Sequence, residues 1–290
     1  NKAADEMRER LRARAVDCDQ RVLTATFHQF CLRVLREYGY DQFSVASEDQ
    51  CLDAAVEIWP QMTLSQRRRC LENISRAKSV DFLSAPDDTV RAFDEALRQR
   101  GLYDFDDLLL QTYWLLKDNA VVRQELQDLY PEIFVDEYQD LNPVQHALLK
   151  LMAGKKGRVT VIGDPDQAIY GFRGSRVELF HQFVRDFDGA QTIRLTENYR
   201  NAADILTASC QVIKKDGSGS GLEQIAKIHA EGRLIIHESP TDKAEAEFIV
   251  HTIEQLVGGT SLFSRDSGRV SHQDEAGMSF GSIAILYRLK

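Results

Sequence analysis

At the start of the chain, apolar residues recur at helical spacing. Ala3, Ala4, Met7, Leu11 and Ala15 share one face and predict a helix with a basic outer side. Arg21 to Thr26 predicts a short strand. A second helix follows, with Phe27, Phe30, Cys31, Val34, Leu35 and Tyr38 on one side and Gly39 placed to stop it. From about Asp41 to Arg100 strand signals vanish and helical patterns recur, as in Val90, Phe93 and Leu97 ahead of Gly101, so an all-helical insert is expected. Asp104 to Leu110 reads as a turn leading into a helix, and Ile133 to Asp136 as a strand. Asn142-Pro143 opens a helix, with Asn as cap and Pro at the first helical position. Arg158 to Gly163 predicts a strand apolar enough to be buried in a parallel sheet, and Gln191 to Leu195 a third strand. Alternating strand and helix predicts an α/β sheet with right-handed crossovers. Asp216 to Gly221 is a flexible linker by composition, either a natural hinge or an engineered splice. Past it, Arg233 to His237 and Ser282 to Tyr287 predict strands. The helix between them carries Ala244, Phe248, Ile249, Ile253 and Leu256, and residues 258–281 read as a loop. This is the pattern of a second α/β unit beginning.

Composition narrows the class. The 290 residues suffice for one large or two ordinary domains, and 43% hydrophobic with 28% charged residues describes a soluble chain with material for a core. No apolar run approaches membrane-spanning length, and no signal peptide opens the chain. A first residue other than Met leads us to expect a polypeptide that begins inside a longer one. Cys18, Cys31, Cys51, Cys70 and Cys210 are widely spaced with no C-x-x-C pair, which argues against zinc and for a reducing cytoplasm. The net charge of −9 argues against a broad basic face on duplex DNA. It leaves room for a locally positive cleft lined with stacking groups. Arg67-Arg68-Arg69 has two readings, a solvated helix face or a phosphate contact.

Candidate chemistry concentrates in two stretches. Glu132-Ile133-Phe134-Val135-Asp136-Glu137-Tyr138-Gln139-Asp140 is a short apolar run ending in adjacent carboxylates, the pattern of a strand delivering acids to a sheet edge. Adjacent carboxylates repel, so a bound cation is one way to compensate them; an acidic strand end before a polar turn is the plainer reading. The second stretch is Gly163-Asp164-Pro165-Asp166-Gln167-Ala168-Ile169-Tyr170-Gly171-Phe172-Arg173-Gly174.

Together with Leu195-Thr196-Glu197-Asn198-Tyr199-Arg200, these stretches resemble motifs II, III and IV of the superfamily 1 DNA helicases of the UvrD, Rep and PcrA type. Asn1-Lys2-Ala3-Ala4 is similar to the end of motif Ia, and Thr26 to Cys31 to motif Ib. Asp104 to Leu109 resembles the acidic motif after the helical insert, and Ile283 to Arg288 a strand early in the second motor domain. No single motif decides; their joint order, running nearly end to end, does.

The resemblance implies an incomplete RecA-like motor domain over residues 1–38 and 101–198, a helical insert over 39–100, and the beginning of a second RecA-like domain over 199–290. It implies ATP and magnesium as cofactors and an ATP-driven 3′-to-5′ DNA helicase or translocase as the whole protein. The partner would be single-stranded DNA or a single-strand/double-strand junction, with replication or repair proteins nearby. Asp136 would hold the magnesium shell, and Glu137, beside it at the metal, would orient or deprotonate the attacking water. Gln167 would sense the γ-phosphate and couple it to DNA. Arg200 would be an arginine finger, Tyr199 would stack on adenine, and Arg173 would help bind the γ-phosphate or link the two sites. Asn1, Lys2, Phe27, His28, Tyr170 and Phe172 fall at positions near the DNA track, where stacking on bases tolerates any sequence. Phe27 equally fits the core of its own helix, and His28 fits a structural hydrogen bond. Phe172 stands where many relatives carry Trp, and Gly171 where some carry Arg, so one phosphate contact is lost.

No G-x-x-x-x-G-K-S/T occurs. The Gly154-Lys155 pair has Leu149 and Lys156 at the positions that should be Gly and Ser or Thr. The expectation is a fragment without its P-loop, poor in ATP hydrolysis by itself. Two alternatives remain: a non-catalytic DNA-binding or regulatory protein on a helicase fold, and a subunit of a helicase–nuclease.

Overall fold

The computed structural model describes residues 2–14, 22–40, 42–155, 157–171, 174–215, 224–228, 232–257 and 278–287. It divides into two units, Asn1–Glu197 with Ser209–Ile225, and Asn198–Ala208 with Ala226–Lys290.

In the first unit, α1 (Lys2–Arg14) precedes α2 (Phe27–Glu37). Thr26 starts α2 through a capping box: its hydroxyl accepts the Gln29 N–H, and the Gln29 side chain accepts the Thr26 N–H. The apolar stripe of α2 buries Cys31, Val34 and Leu35. Gly39, at φ 95°, turns the chain after it. Next come β1 (Ser44–Val45), α3 (Glu48–Ile58), α4 (Leu64–Ser79) and α5 (Asp88–Gln99), followed by β2 (Leu102–Tyr103). Ser47 with Gln50, and Thr63 with Gln66, repeat the capping box at α3 and α4. These helices close around Ala54, Ile74, Val90, Phe93 and Leu97. The insert is therefore helical with one correction: β1 pairs in parallel with β2, Ser44 opposite Leu102. A two-residue strand is too short to show an alternating pattern in sequence.

α6 (Phe105–Asp118) and α7 (Ala120–Leu129) meet at Asn119, whose Oδ1 accepts the N–H groups of Val121 and Val122 at 3.1 Å. Then come β3 (Glu132–Val135), α8 (Pro143–Ala153), β4 (Arg158–Val161) and α9 (Val177–Asp186). Leu108, Leu109, Leu116, Leu126, Val144 and Leu148 join α2, α6, α7 and α8 in the largest core. β3 and β4 are parallel, Val135 opposite Val161. One face of this pair packs on Tyr138, Leu149, Phe180 and Phe183. On the other face Phe134 is 70% exposed. β4 is thus half-exposed along its length rather than buried.

Towards the end lie β5 (Glu197–Asn198), α10 (Ala203–Lys215), β6 (Ile225–Ala226) and α11 (Asp242–Val257). α11 forms where Ala244 to Leu256 predicts it. Four expected strands are absent: residues 22–26, 191–195, 233–237 and 283–287 are extended or irregular, and a 3-10 turn occupies Phe280–Ser282. Their apolar patterning is strand-like, but a strand needs a partner to satisfy its N–H and C=O groups. Among the described residues these segments have none in ladder register. The expected linker at 216–221 and most of the 258–281 loop lie outside the described residues.

Candidate functional site

β3 ends at Val135, so Asp136 and Glu137 stand exposed at the carboxyl edge of the sheet. Pairing continues past the strand ends. The Ile162 N–H donates to the Val135 carbonyl at 2.8 Å, and the Tyr138 N–H to the Ile162 carbonyl at 3.0 Å. The acidic segment and the Gly-Asp-Pro-Asp-Gln segment therefore leave neighbouring strands side by side. That is where open parallel sheets place their ligands.

Glu137 adopts φ 51°, ψ 45°, the one non-glycine residue with positive φ among those described. A left-handed residue that is not glycine persists only where its surroundings hold it. Here the turn aims Tyr138 and Gln139 inward, both fully buried, while the two carboxylates face out. The Asp136 Oδ1 accepts the Glu137 N–H at 3.1 Å. The Gln139 Nε2 donates to Glu137 Oε2 at 2.6 Å, and Gln139 Oε1 accepts the Asp164 N–H at 3.0 Å. Asp164 caps a 3-10 turn over Pro165–Gln167 and accepts the Gln167 Nε2 at 2.8 Å on Oδ2.

Asp140 completes a third carboxylate nearby. Burial, and then the charge of Glu137, push its pKa above the usual carboxylate range. Its buried Oδ1 has no hydrogen-bond partner among the described residues. Among those residues no lysine or arginine pairs with Asp136 or Glu137 either. Exposed, uncompensated oxygen donors of this kind suit a hard divalent cation such as magnesium.

A second acidic group looks like a metal site by composition alone. Ligand atoms of Asp94, Asp104 and Asp107 lie within 4.8 Å of one another. The Lys78 Nζ sits among them, at 2.6 Å from Asp94 and 2.7 Å from both Asp104 and Asp107. The ammonium takes the place a cation would need, so this cluster joins the insert to the start of α6 as an ion-pair centre. Lys78 has no signal in the sequence beyond being one lysine on α4.

Phe27 and His28 begin α2, both half-buried. Phe27 packs against the main core and the sheet core. The His28 ring meets Phe105 edge-on at 5.5 Å, and burial lowers its pKa. Gln167 is exposed, as is Tyr170 three residues on. Lys2 is the first residue of α1. Asn1, Phe172 and Arg173 lie outside the described residues. In the second unit the Asn198 Oδ1 accepts the N–H groups of Arg200 and Asn201 at 3.0 and 2.8 Å, a turn that leaves the Tyr199 and Arg200 side chains exposed. The structure thus brings Asp136, Glu137 and Gln167 together. Gln139 and Asp164, which join them, lie inside the two motif stretches, but sequence reasoning assigned them no role.

The family model for the UvrD/REP helicase N-terminal domain matches residues 1–188, which hold both motif segments on the sheet edge. DNA helicase II of Escherichia coli (strain K12) is 30% identical over 310 residues, covering 99% of this chain and 41% of that protein. ATP-dependent DNA helicase PcrA of Staphylococcus aureus (strain Mu50 / ATCC 700699) is 32% identical over 313 residues, covering 99% of this chain and 40% of that protein. DNA helicase II of Haemophilus influenzae is 29% identical over 287 residues, covering 89% and 39%. The chain spans about two fifths of the length of these relatives. Matched over 188 of its 290 residues by the family model and over nearly its whole length by these helicases, the chain belongs to the UvrD/REP helicase family.

Proposed function

We propose that this chain is the part of an ATP-dependent DNA helicase that activates water for ATP hydrolysis and transmits the event to single-stranded DNA, moving 3′ to 5′. The observation that carries the reading is the pairing of β3 with β4, which sets Asp136, Glu137 and Gln167 on one sheet edge. Magnesium bound there would neutralise charge on the β- and γ-phosphates. Asp136 would hold the metal's water shell. Glu137 would orient the attacking water and take its proton, a role that suits an exposed carboxylate with no lysine or arginine paired to it among the described residues. Gln167, with a donor and an acceptor at the tip of its turn, would contact the γ-phosphate. Tyr199 would stack on adenine. Arg200 would stabilise charge as it develops, with Arg173 assisting, because a guanidinium bridges phosphate oxygens. Tyr170 and Phe172 would stack on bases, and Asn1, Lys2 and His28 would line the DNA track. Phe27 supports that track from within the core, consistent with its half-buried position.

The chain contains no P-loop sequence. The 290 residues by themselves are therefore expected not to turn over ATP. The test is steady-state magnesium-dependent ATP hydrolysis by the full-length protein and by this chain, with and without single-stranded DNA. DNA-stimulated turnover in the full-length protein, none in the chain, and a severe loss in Glu137→Gln with nucleotide binding retained are the expected results. A full-length protein that binds DNA without hydrolysing ATP would make it a non-catalytic DNA-binding protein instead.

A further inference from the structure

Gln139 is 1% exposed, yet both ends of its amide are engaged. The Asp164 N–H can only donate, and the Glu137 carboxylate can only accept. One orientation of the amide satisfies both, with Oε1 toward Asp164 and Nε2 toward Glu137. Asp164 is engaged at both carboxylate oxygens as well. Oδ1 accepts the Asp166 N–H at 3.0 Å, and Oδ2 accepts the Gln167 Nε2 at 2.8 Å. Space for the amide is provided by Gly163. A Cβ built there would lie 2.5 Å from the Gln139 Oε1, so any larger residue must displace it.

The geometry points to a hydrogen-bonded relay, Glu137–Gln139–Asp164–Gln167, in which Gln139 and Asp164 are positioning residues that tie the orientation of the water-activating carboxylate to the position of the phosphate-sensing amide. The inference rests on the functional reading above and deepens it. Its first and last members are exposed at the sheet edge, whereas Gln139 is locked in the core. Movement of the Asp164–Gln167 turn therefore reaches Glu137 through Gln139, whose buried amide cannot re-pair with water. The left-handed backbone at Glu137 is flanked by the bonds from the Tyr138 N–H to the Ile162 carbonyl and from the Asp140 N–H to its own carbonyl, and the Gln139 contact then sets its carboxylate.

The test compares the full-length wild type with Gln139→Glu, Asp164→Asn and the exchange variant Glu137→Gln/Gln139→Glu. Gln139→Glu keeps the acceptor for the Asp164 N–H but sets two carboxylates against each other. Its kcat for DNA-stimulated hydrolysis should fall by about tenfold to a hundredfold, with KM for ATP within about threefold of wild type. A second readout needs no turnover: the change in affinity for a labelled oligonucleotide caused by a non-hydrolysable ATP analogue, expected to be about fivefold or more in the wild type. Gln139→Glu should abolish that change. The exchange variant should restore it, because the amide and carboxylate have traded places across the same contact, although its turnover stays lost. Should Gln139→Glu fail to fold, Asp164→Asn decides, since it retains the backbone donor but places an amide against Gln167; it should weaken the same linkage. Wild-type kcat and linkage in both single variants would overturn the relay and leave the hydrolysis reading standing. A wild type with neither turnover nor linkage would overturn both.

Discussion

The Tyr138 hydroxyl lies 2.6 Å from His146 Nδ1, and His146 Nε2 lies 2.7 Å from Asp186 Oδ2. Asp186 also accepts the Lys150 Nζ at 3.0 Å. The carboxylate can only accept, so Nε2 carries a proton, and in the neutral ring Nδ1 accepts from the hydroxyl. Burial, followed by the charge of Asp186, raises the Tyr138 pKa, which keeps that hydroxyl a donor. Burial alone would raise Asp186 as well, but hydrogen bonds from His146 and Lys150 outweigh it and hold its pKa below the usual range. The network anchors the residue after Glu137 to both α8 and α9. Tyr138→Phe and His146→Ala should each cost about 1–3 kcal/mol. Their double variant should cost less than the sum by about 0.5–3 kcal/mol, read from urea unfolding of the four proteins. Strict additivity would mean that the contact carries no coupling.

Distance alone does not rank the ion pairs. Lys78 Nζ to Asp94 and Arg10 to Glu6 are both 2.6 Å. Lys78 has 1% of its side chain exposed, whereas the Arg10 side chain is 77% exposed. The carboxylates around Lys78 outweigh the opposing cost of burying its charge, and its pKa is raised. Lys78→Met leaves three carboxylates facing a buried apolar chain and should cost about 3–5 kcal/mol. Arg10→Ala should change stability by less than about 1 kcal/mol. Urea midpoints of the two variants check the contrast.

One lysine does not balance three aspartates, and Asp106 lies alongside. Burial first, and then the charge of Asp104, push Asp106 up to about 6, against a hydrogen bond from Ser75 and the charge of Lys78. The same two causes raise Asp107. A carboxyl whose pKa is raised on folding binds its proton more tightly in the folded state. Its contribution to stability is therefore greatest in acid and falls as pH rises from about 4 through about 6. Asp106→Asn should remove that slope, so that the variant gains on wild type by on the order of 2 kcal/mol between pH 4.5 and 7. Parallel stability curves across this window would show that Asp106 is not buried in charged form.

The helices were legible where local chemistry announces them. Asn142-Pro143 starts α8, Asp104 starts α6, and the stripe from Val90 to Leu97 lies on α5. The sheet edge was legible because apolar runs end in Asp136 and at Gly163. What was hidden depends on partners distant in sequence. Arg233 to His237 patterns like a strand but has no ladder in the described structure, and Ser44–Val45 forms one only because Leu102–Tyr103 lies beside it. The same holds for side chains. Gln139 and Asp164 are 25 residues apart, Tyr138 and Asp186 further still, and Lys78 meets Asp104 across 26. Periodicity reports which face a residue occupies, not which polar atom it will meet there.

Gly163 and Gly171 stand eight positions apart in one motif segment and should respond differently to the same change. At Gly163 an added Cβ would come within 2.5 Å of Gln139 Oε1, 3.0 Å of Phe180 Cε2 and 3.1 Å of the Tyr138 nitrogen. One of these neighbours is backbone, and the other two are held in the core, so none can move without breaking a contact. At Gly171 nothing among the described residues lies within 4 Å. Gly163→Ala should therefore destabilise by about 1–3 kcal/mol, the ordinary cost of overpacking a closed site. Gly171→Ala should stay within about 0.5 kcal/mol, as an exposed change does. Urea unfolding distinguishes them. Equal stability in the two variants would mean that the space beside Gln139 is larger than the geometry allows, and the amide would then be free to leave Glu137.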